Sequence, residues 1–194
     1  MLDISIIKRI LNRFIRIITG HKGLYCAHGK ENHVSEGTIL YEPCSIGSNN
    51  YFAPYTLAYN ARIGNYCSIG PGCKIGLAEH DITAISTKAN INNGGEEMDL
   101  FDFNNPSIIE NDVWLGANVV VKQGIKVGTG AVIGANSVVI SDIPPYAVAV
   151  GAPAKVKKYR FDKSKINEIL ESKWFEKDAT AARRMVKDLS EQRN

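Results

Sequence analysis

Residues 121–136 read VKQGIKVGTGAVIGAN, with an aliphatic side chain at 121, 127 and 133 and glycine directly after the last two. The interval is six. A helix repeats one face at about 3.6 residues and a strand at 2, so neither period accounts for it. Extending the phase in both directions gives Ile109, Leu115, Val121, Val127, Ile133 and Val139. A second run holds Leu57, Ile63, Ile69 and Ile75. A third holds Val34, Leu40, Ile46 and Phe52, with Phe52 to Leu57 one residue short. A six-residue period predicts a parallel β-helix, in which each hexad is a short strand plus a corner and three hexads close a triangular coil. Coils then stack at the ordinary strand spacing of about 4.7–4.9 Å, and one inward aliphatic per hexad fills the prism.

The residue four places after each aliphatic is expected to point inward as well and to be small. That position reads Thr38, Cys44, Ala61, Cys67, Cys73, Val113, Val119, Ile125, Ala131 and Ser137. Three of the four cysteines therefore fall where a small core residue is wanted. No CxxC pair or His/Cys cluster at zinc spacing is present, so metal ligation has no support from spacing. Glycine follows the aliphatic at 47, 64, 70, 76, 116, 128 and 134, and positive φ at corners is the expected reason. Asn49, Asn65, Asn111, Asn118 and Asn136 suit such corners too. The repeat also explains GTGAVIG (128–134), whose glycines otherwise suggest a dinucleotide-binding loop but with the third one residue late.

The pattern lapses over about 77–106, a stretch rich in Asn, Asp, Glu and Gly. Long insertions in solenoids project from one face and commonly carry function. The chain then divides into an N-terminal segment (1–20), a β-helix domain with the 77–106 loop (21–156) and a C-terminal helical segment (157–194). Residues 2–18 fit an amphipathic helix, with Ile7, Ile10, Leu11, Phe14, Ile15 and Ile18 on one arc and Lys8, Arg9, Arg13 and Arg16 opposite. It is suited either to a membrane interface or to packing on the β-helix end or a partner subunit. From about 163 the spacing of Ile166, Ile169, Leu170, Ala182, Met185, Val186 and Leu189 reads as helical, with Asp162 or Ser164 as N-cap.

Charge narrows the function. Residues 1–33 hold six basic and two acidic residues, for +4; residues 34–156 hold six and eleven, for −5; residues 157–194 hold eleven and seven, for +4. The acidic middle argues against sequence-unspecific nucleic-acid binding. No cleavable signal and no run of eighteen uncharged apolar residues is seen, so a cytoplasmic location is expected, with the inner membrane face as the alternative if 2–18 binds lipid.

His80 is the histidine placed in the insertion; His21, His28 and His33 precede the repeat proper. The tail SDIPPYAVAVGAPAKVKK (141–158), together with the repeat, resembles the hexapeptide-repeat acetyltransferases of left-handed β-helix fold, which use acetyl-CoA and no metal. GLAEHDITAIST (76–87) and NEILESKWFEKD (167–178) are similar to the xenobiotic acetyltransferase branch, which includes chloramphenicol and streptogramin acetyltransferases and O-acetyltransferases of surface polysaccharide synthesis. The resemblance covers roughly 34–180.

It implies an all-β, left-handed parallel β-helix with terminal α-helices, assembled as a homotrimer whose sites lie between subunits. It further implies acetyl transfer to a glycan or small-molecule hydroxyl, with His80 as general base, since imidazole exchanges a proton near neutral pH. Glu79, Asp81 or a backbone carbonyl would orient it. Attack is direct, so Ser86, Thr87 and the cysteines need not act as nucleophiles. Ala117 and Ala135 would contact pantetheine, Ser141 the nucleotide, and Lys155 and Lys158 the phosphates. Trp114, with Glu79 and Asp81, would border the acceptor cleft. A sugar O-acetyltransferase is the leading reading, with drug acetylation and sugar N-acetylation beside it. A zinc carbonic anhydrase of similar fold needs three converging histidines, and residues 34–194 contain only His80.

Overall fold

The computed structural model describes residues 26–92 and 104–191; the helix expected over 2–18 lies outside them. The first strands are β1 (Ala27–His28), β2 (His33–Val34), β3 (Ile39–Leu40), β4 (Ser45–Ile46), β5 (Tyr51–Phe52), β6 (Leu57–Ala58), β7 (Ala61–Ile63), β8 (Ser68–Ile69) and β9 (Lys74–Leu77). After the excursion come β10 (Ser107–Ile109), β11 (Trp114–Leu115), β12 (Val120–Lys122), β13 (Lys126–Val127), β14 (Val132–Ile133), β15 (Val138–Val139), β16 (Ala147–Val150) and β17 (Lys155–Tyr159). Within the excursion sits one helical turn, α1 (Ala89–Asn92).

Every third strand pairs in parallel, which is what a three-sided coil requires. Face I holds β1, β4, β7, β10 and β13; face II holds β2, β5, β8, β11, β14 and β16; face III holds β3, β6, β9, β12 and β15. β17 closes face II antiparallel to β16. The structure is thus a parallel β-helix, as the period of six demands.

The hexad aliphatics make the core. Leu40, Phe52, Ile75, Leu115, Val127, Ile133 and Val139 are wholly buried, and each such side chain contributes about 1.5–3 kcal/mol of transfer free energy. Leu57 is a correction. It is half-buried and faces outward, while Ala58 fills the core in its place. The short hexad therefore lies between Ala58 and Ile63, and Ala61–Ile63 bends back into register with Ile109. Two small-residue positions missing from the expected set are Asn50 and Thr56, both buried. Asn50 is satisfied by bonds to Asn32, Gly64 and the Cys67 N–H, all between 2.7 and 3.0 Å. Cys44, Cys67 and Cys73 are free, buried thiols; burial pushes Cys44 and Cys67 up to about 12 and raises Cys73.

The glycines have a different reason from the one expected. Of the seven that follow an aliphatic, only Gly76 has positive φ. At Gly116 a Cβ would sit 2.6 Å from the Ala135 nitrogen of the next coil, so the constraint there is close backbone approach between coils. Positive φ falls instead two or three residues later, at Asn49, Tyr66, Asp112, Asn118, Asn136 and Tyr146 among others.

Helices α2 (Lys163–Ser172) and α3 (Ala179–Glu191), with a 3-10 turn (Trp174–Glu176) between them, lie along the edge where faces I and II meet. Asp162 caps α2 by accepting from the Lys165 N–H at 2.9 Å. The clamp is polar as well as apolar. Tyr66 donates its hydroxyl to the Lys177 carbonyl at 2.7 Å, Asn65 its amide to the Phe175 carbonyl at 3.0 Å, and Arg160 its guanidinium to the Gly130 carbonyl at 2.7 Å.

Candidate active site

β9 ends on face III, and the excursion leaves from the edge between faces III and I. Its base is tied to the next coil by an ion pair from Glu79 to Lys122 at 3.1 Å. Asp81 folds back locally, accepting from the Thr83 N–H at 2.8 Å and the Thr83 hydroxyl at 2.6 Å. Those hydrogen bonds hold its carboxyl below the usual carboxylate range. Both carboxylates flanking His80 are thus occupied elsewhere.

His80 itself is exposed, and its Nδ1 lies 2.6 Å from the Thr87 carbonyl oxygen. A carbonyl can only accept, so Nδ1 carries the proton and donates it. The tautomer follows: Nε2 is left with a lone pair. Of the three orienting groups considered from sequence, the backbone carbonyl is the one in place. No residue identity announces a carbonyl, which is why spacing alone left the choice open.

Ala117 and Ala135 stack one coil apart on the edge between faces II and III, joined by the Asn136 N–H donating to the Ala117 carbonyl at 2.8 Å. Neither alanine's own N–H takes a partner among the described residues, so two unpartnered donors stand one coil apart on this edge. Trp114 projects from face II, 56% exposed. Lys155 and Lys158 lie on β17 at the end of the same face, exposed and without ion-pair partners among the described residues. Ser141 follows β15 and is exposed at the edge between faces III and I.

One chain therefore assembles two partial sites. His80, Glu79 and Ser141 share one edge, whereas the Ala117–Ala135 donors occupy another, with the width of face III between them.

The structure adds Tyr51, Ser68 and Val132, which sequence reasoning passed over, and joins them to His33 and Trp114. His33, Tyr51, Ser68, Trp114 and Val132 form one outward row across face II, in register through successive parallel pairs. His33 and Tyr51 stack with centroids 5.0 Å apart and planes 3° from parallel. That spacing matches the strand separation, so the two rings sit one coil apart. Tyr51, the Ser68 hydroxyl and Trp114 are all exposed along this row. The signal was present: each member directly precedes its hexad aliphatic. Among the described residues no group of three or more His, Cys, Asp or Glu gathers as a metal-binding cluster, and no helix is long and apolar enough to cross a membrane.

Comparison with known proteins agrees with this geometry. The family model for bacterial transferase hexapeptide (six repeats) matches residues 106–141. A probable macrolide acetyltransferase of Lysinibacillus sphaericus is 37% identical over 121 residues, covering 58% of this chain and 67% of that protein. A chloramphenicol acetyltransferase of Morganella morganii is 36% identical over 121 residues, covering 58% of each chain. Among solved structures, galactoside acetyltransferase in complex with coenzyme A superposes with a TM-score of 0.58 at 29% identity, covering 72% of this chain and 68% of that one. The fold and the interrupted repeat define a β-helical acyltransferase architecture. The chain belongs to the hexapeptide-repeat acetyltransferase family. It spans 67% and 58% of the length of those two curated relatives.

Proposed function

We propose that this chain transfers acetyl from acetyl-CoA to a hydroxyl of a sugar during cell-surface polysaccharide synthesis, with His80 as general base. The observation that carries the reading is the Nδ1 bond to the Thr87 carbonyl, which leaves Nε2 basic and open to solvent. Nε2 takes the proton from the acceptor hydroxyl as its oxygen attacks the thioester carbonyl. When the tetrahedral species collapses, the C–S bond breaks and the coenzyme A thiolate leaves with that proton. No covalent enzyme intermediate is needed, consistent with buried, proton-retaining thiols.

The Ala117 and Ala135 N–H groups are suited to the amide carbonyls of pantetheine, and Lys155 and Lys158 to the phosphates. Because His80 and those donors occupy different edges of one prism, a complete site takes His80 from one copy and the donor column from the next. This supports the homotrimer that the family resemblance implies. The exposed row of Tyr51, Ser68 and Trp114 offers aromatic and hydroxyl contacts to an acceptor ring. A cytoplasmic location suits the use of acetyl-CoA.

The test follows free thiol release from acetyl-CoA across a panel of glycans, comparing wild type with His80→Ala and scoring products for the mass of one acetyl group. The account expects acetylated glycan from wild type and loss of about 10²–10⁴-fold in the variant; undiminished turnover in the variant removes His80 from the mechanism. A second reading, acetylation of a drug hydroxyl, is favoured by the relatives named for macrolide and chloramphenicol. Turnover of chloramphenicol or a macrolide above every glycan would select it.

A further inference from the structure

Between the I–II edge and helices α2 and α3 lies a cavity of about 260 Å³ that the acyl-transfer reading does not use. Its polar wall is formed by Asp112, Tyr146 and Arg160, and its apolar wall by Ile169, Trp174 and Leu189. Tyr146 is 2% exposed, and its hydroxyl finds no acceptor for its proton. Burial pushes that phenol up to about 12, the nearby Asp112 carboxylate adds to the shift, and the Trp174 indole N–H offsets part of it. Trp174 can only donate, so the phenolic proton is still without an acceptor. A stranded buried donor is costly, and native structures rarely keep one without use.

The cations around the cavity are already matched. Arg160 pairs with Asp112 at 3.3 Å and Lys165 with Glu168 at 2.9 Å. A charged guest would leave one charge unbalanced in a partly desolvated space. A hydroxyl is different, since it accepts from Tyr146 and donates to the Asp112 carboxylate at the same time. The volume exceeds what one or two structural waters fill and approaches the lower end of small-molecule pockets, about 300 Å³.

We propose that this cavity is a binding site for a small neutral molecule with an apolar body and one hydroxyl, held between Tyr146 and Asp112. It sits on the I–II edge, away from His80 and from the Ala117–Ala135 column, so it is independent of the acyl-transfer reading.

Thermal denaturation of the full chain with benzyl alcohol, toluene, benzoate or benzylamine at equal concentration tests it. Benzyl alcohol at about ten times its dissociation constant raises Tm by about 2–5 °C, and the other three raise it less. Tyr146→Phe folds with a Tm at or above wild type, because the stranded hydroxyl is gone, and no longer prefers benzyl alcohol over toluene. Nuclear Overhauser contacts from the benzyl ring to Ile169 and Leu189 methyl groups locate the guest whether or not the variant folds. The proposal is overturned by equal shifts from benzyl alcohol and toluene in wild type, by no shift from benzyl alcohol, by an unchanged preference in Tyr146→Phe, or by absence of those contacts.

Discussion

The stacked coils and the excursion that carries His80 obey opposite rules. In the coils one residue in six decides the structure, its side chain is buried at nearly every coil, and the strands are held by parallel pairing to the coils on either side. Among the described residues of the excursion most side chains from Glu79 to Asn92 are exposed, and the hydrogen bonds there are local, Asp81 with Thr83 and His80 with Thr87. On the proposed mechanism the coils carry the stability and the loop carries the chemistry. Substitutions in one region should move a quantity that substitutions in the other leave alone.

The largest effect expected is on rate. His80→Ala lowers kcat/KM for acetyl transfer by about 10²–10⁴-fold, while its urea midpoint stays at the wild-type value. Next comes Leu115→Ala, which empties a fully buried position and costs about 2–5 kcal/mol in urea unfolding. Turnover per folded molecule is unchanged. A drop in stability with His80→Ala, or a change of catalytic rate with Leu115→Ala, would break the division.

A smaller effect is pH-dependent. Burial raises the Glu110 carboxyl, but the Lys126 ammonium and the Thr129 N–H and hydroxyl more than offset it, so the carboxyl is held below its ordinary value. The folded state therefore favours the carboxylate, and this stabilisation is present above about pH 4.5 and lost as pH falls through the lowered value. Glu110→Gln should be less stable than wild type at pH 7, and the two urea midpoints should draw together as pH is lowered through the carboxylate range. The smallest effect belongs to Glu79→Gln. The ion pair with Lys122 is half exposed on both sides, so its loss costs about 0.2–1 kcal/mol or less. Turnover then falls only to the extent that the base of the loop loosens.

The same contrast explains what could be read from the amino acids. The fold was legible because a triangular core admits one aliphatic per hexad, and six unbroken positions from Ile109 to Val139 leave no other period. The misplacement at Leu57 arose because the core accepts a small residue there, and Ala58 carries little pattern. The glycines were found for the wrong reason, since contact between coils joins residues about 18 apart and cannot be seen within one hexad. His80 stood out by its place in the insertion. Its partner did not, because the Thr87 carbonyl is backbone. The face II row was hidden for a related cause: His33, Tyr51, Ser68 and Trp114 become neighbours only once successive coils are laid over one another.

The central claim is that His80 and the Ala117–Ala135 donors act together only across two copies. Mixing His80→Ala with Ala135→Trp, which blocks the donor column, tests it directly once the two chains have been co-refolded. Each variant alone is expected to be nearly inactive, and the mixture to regain a measurable fraction of wild-type turnover through sites that draw one intact half from each chain. Mixed assemblies that form and yet stay as inactive as their parents would contradict the shared site.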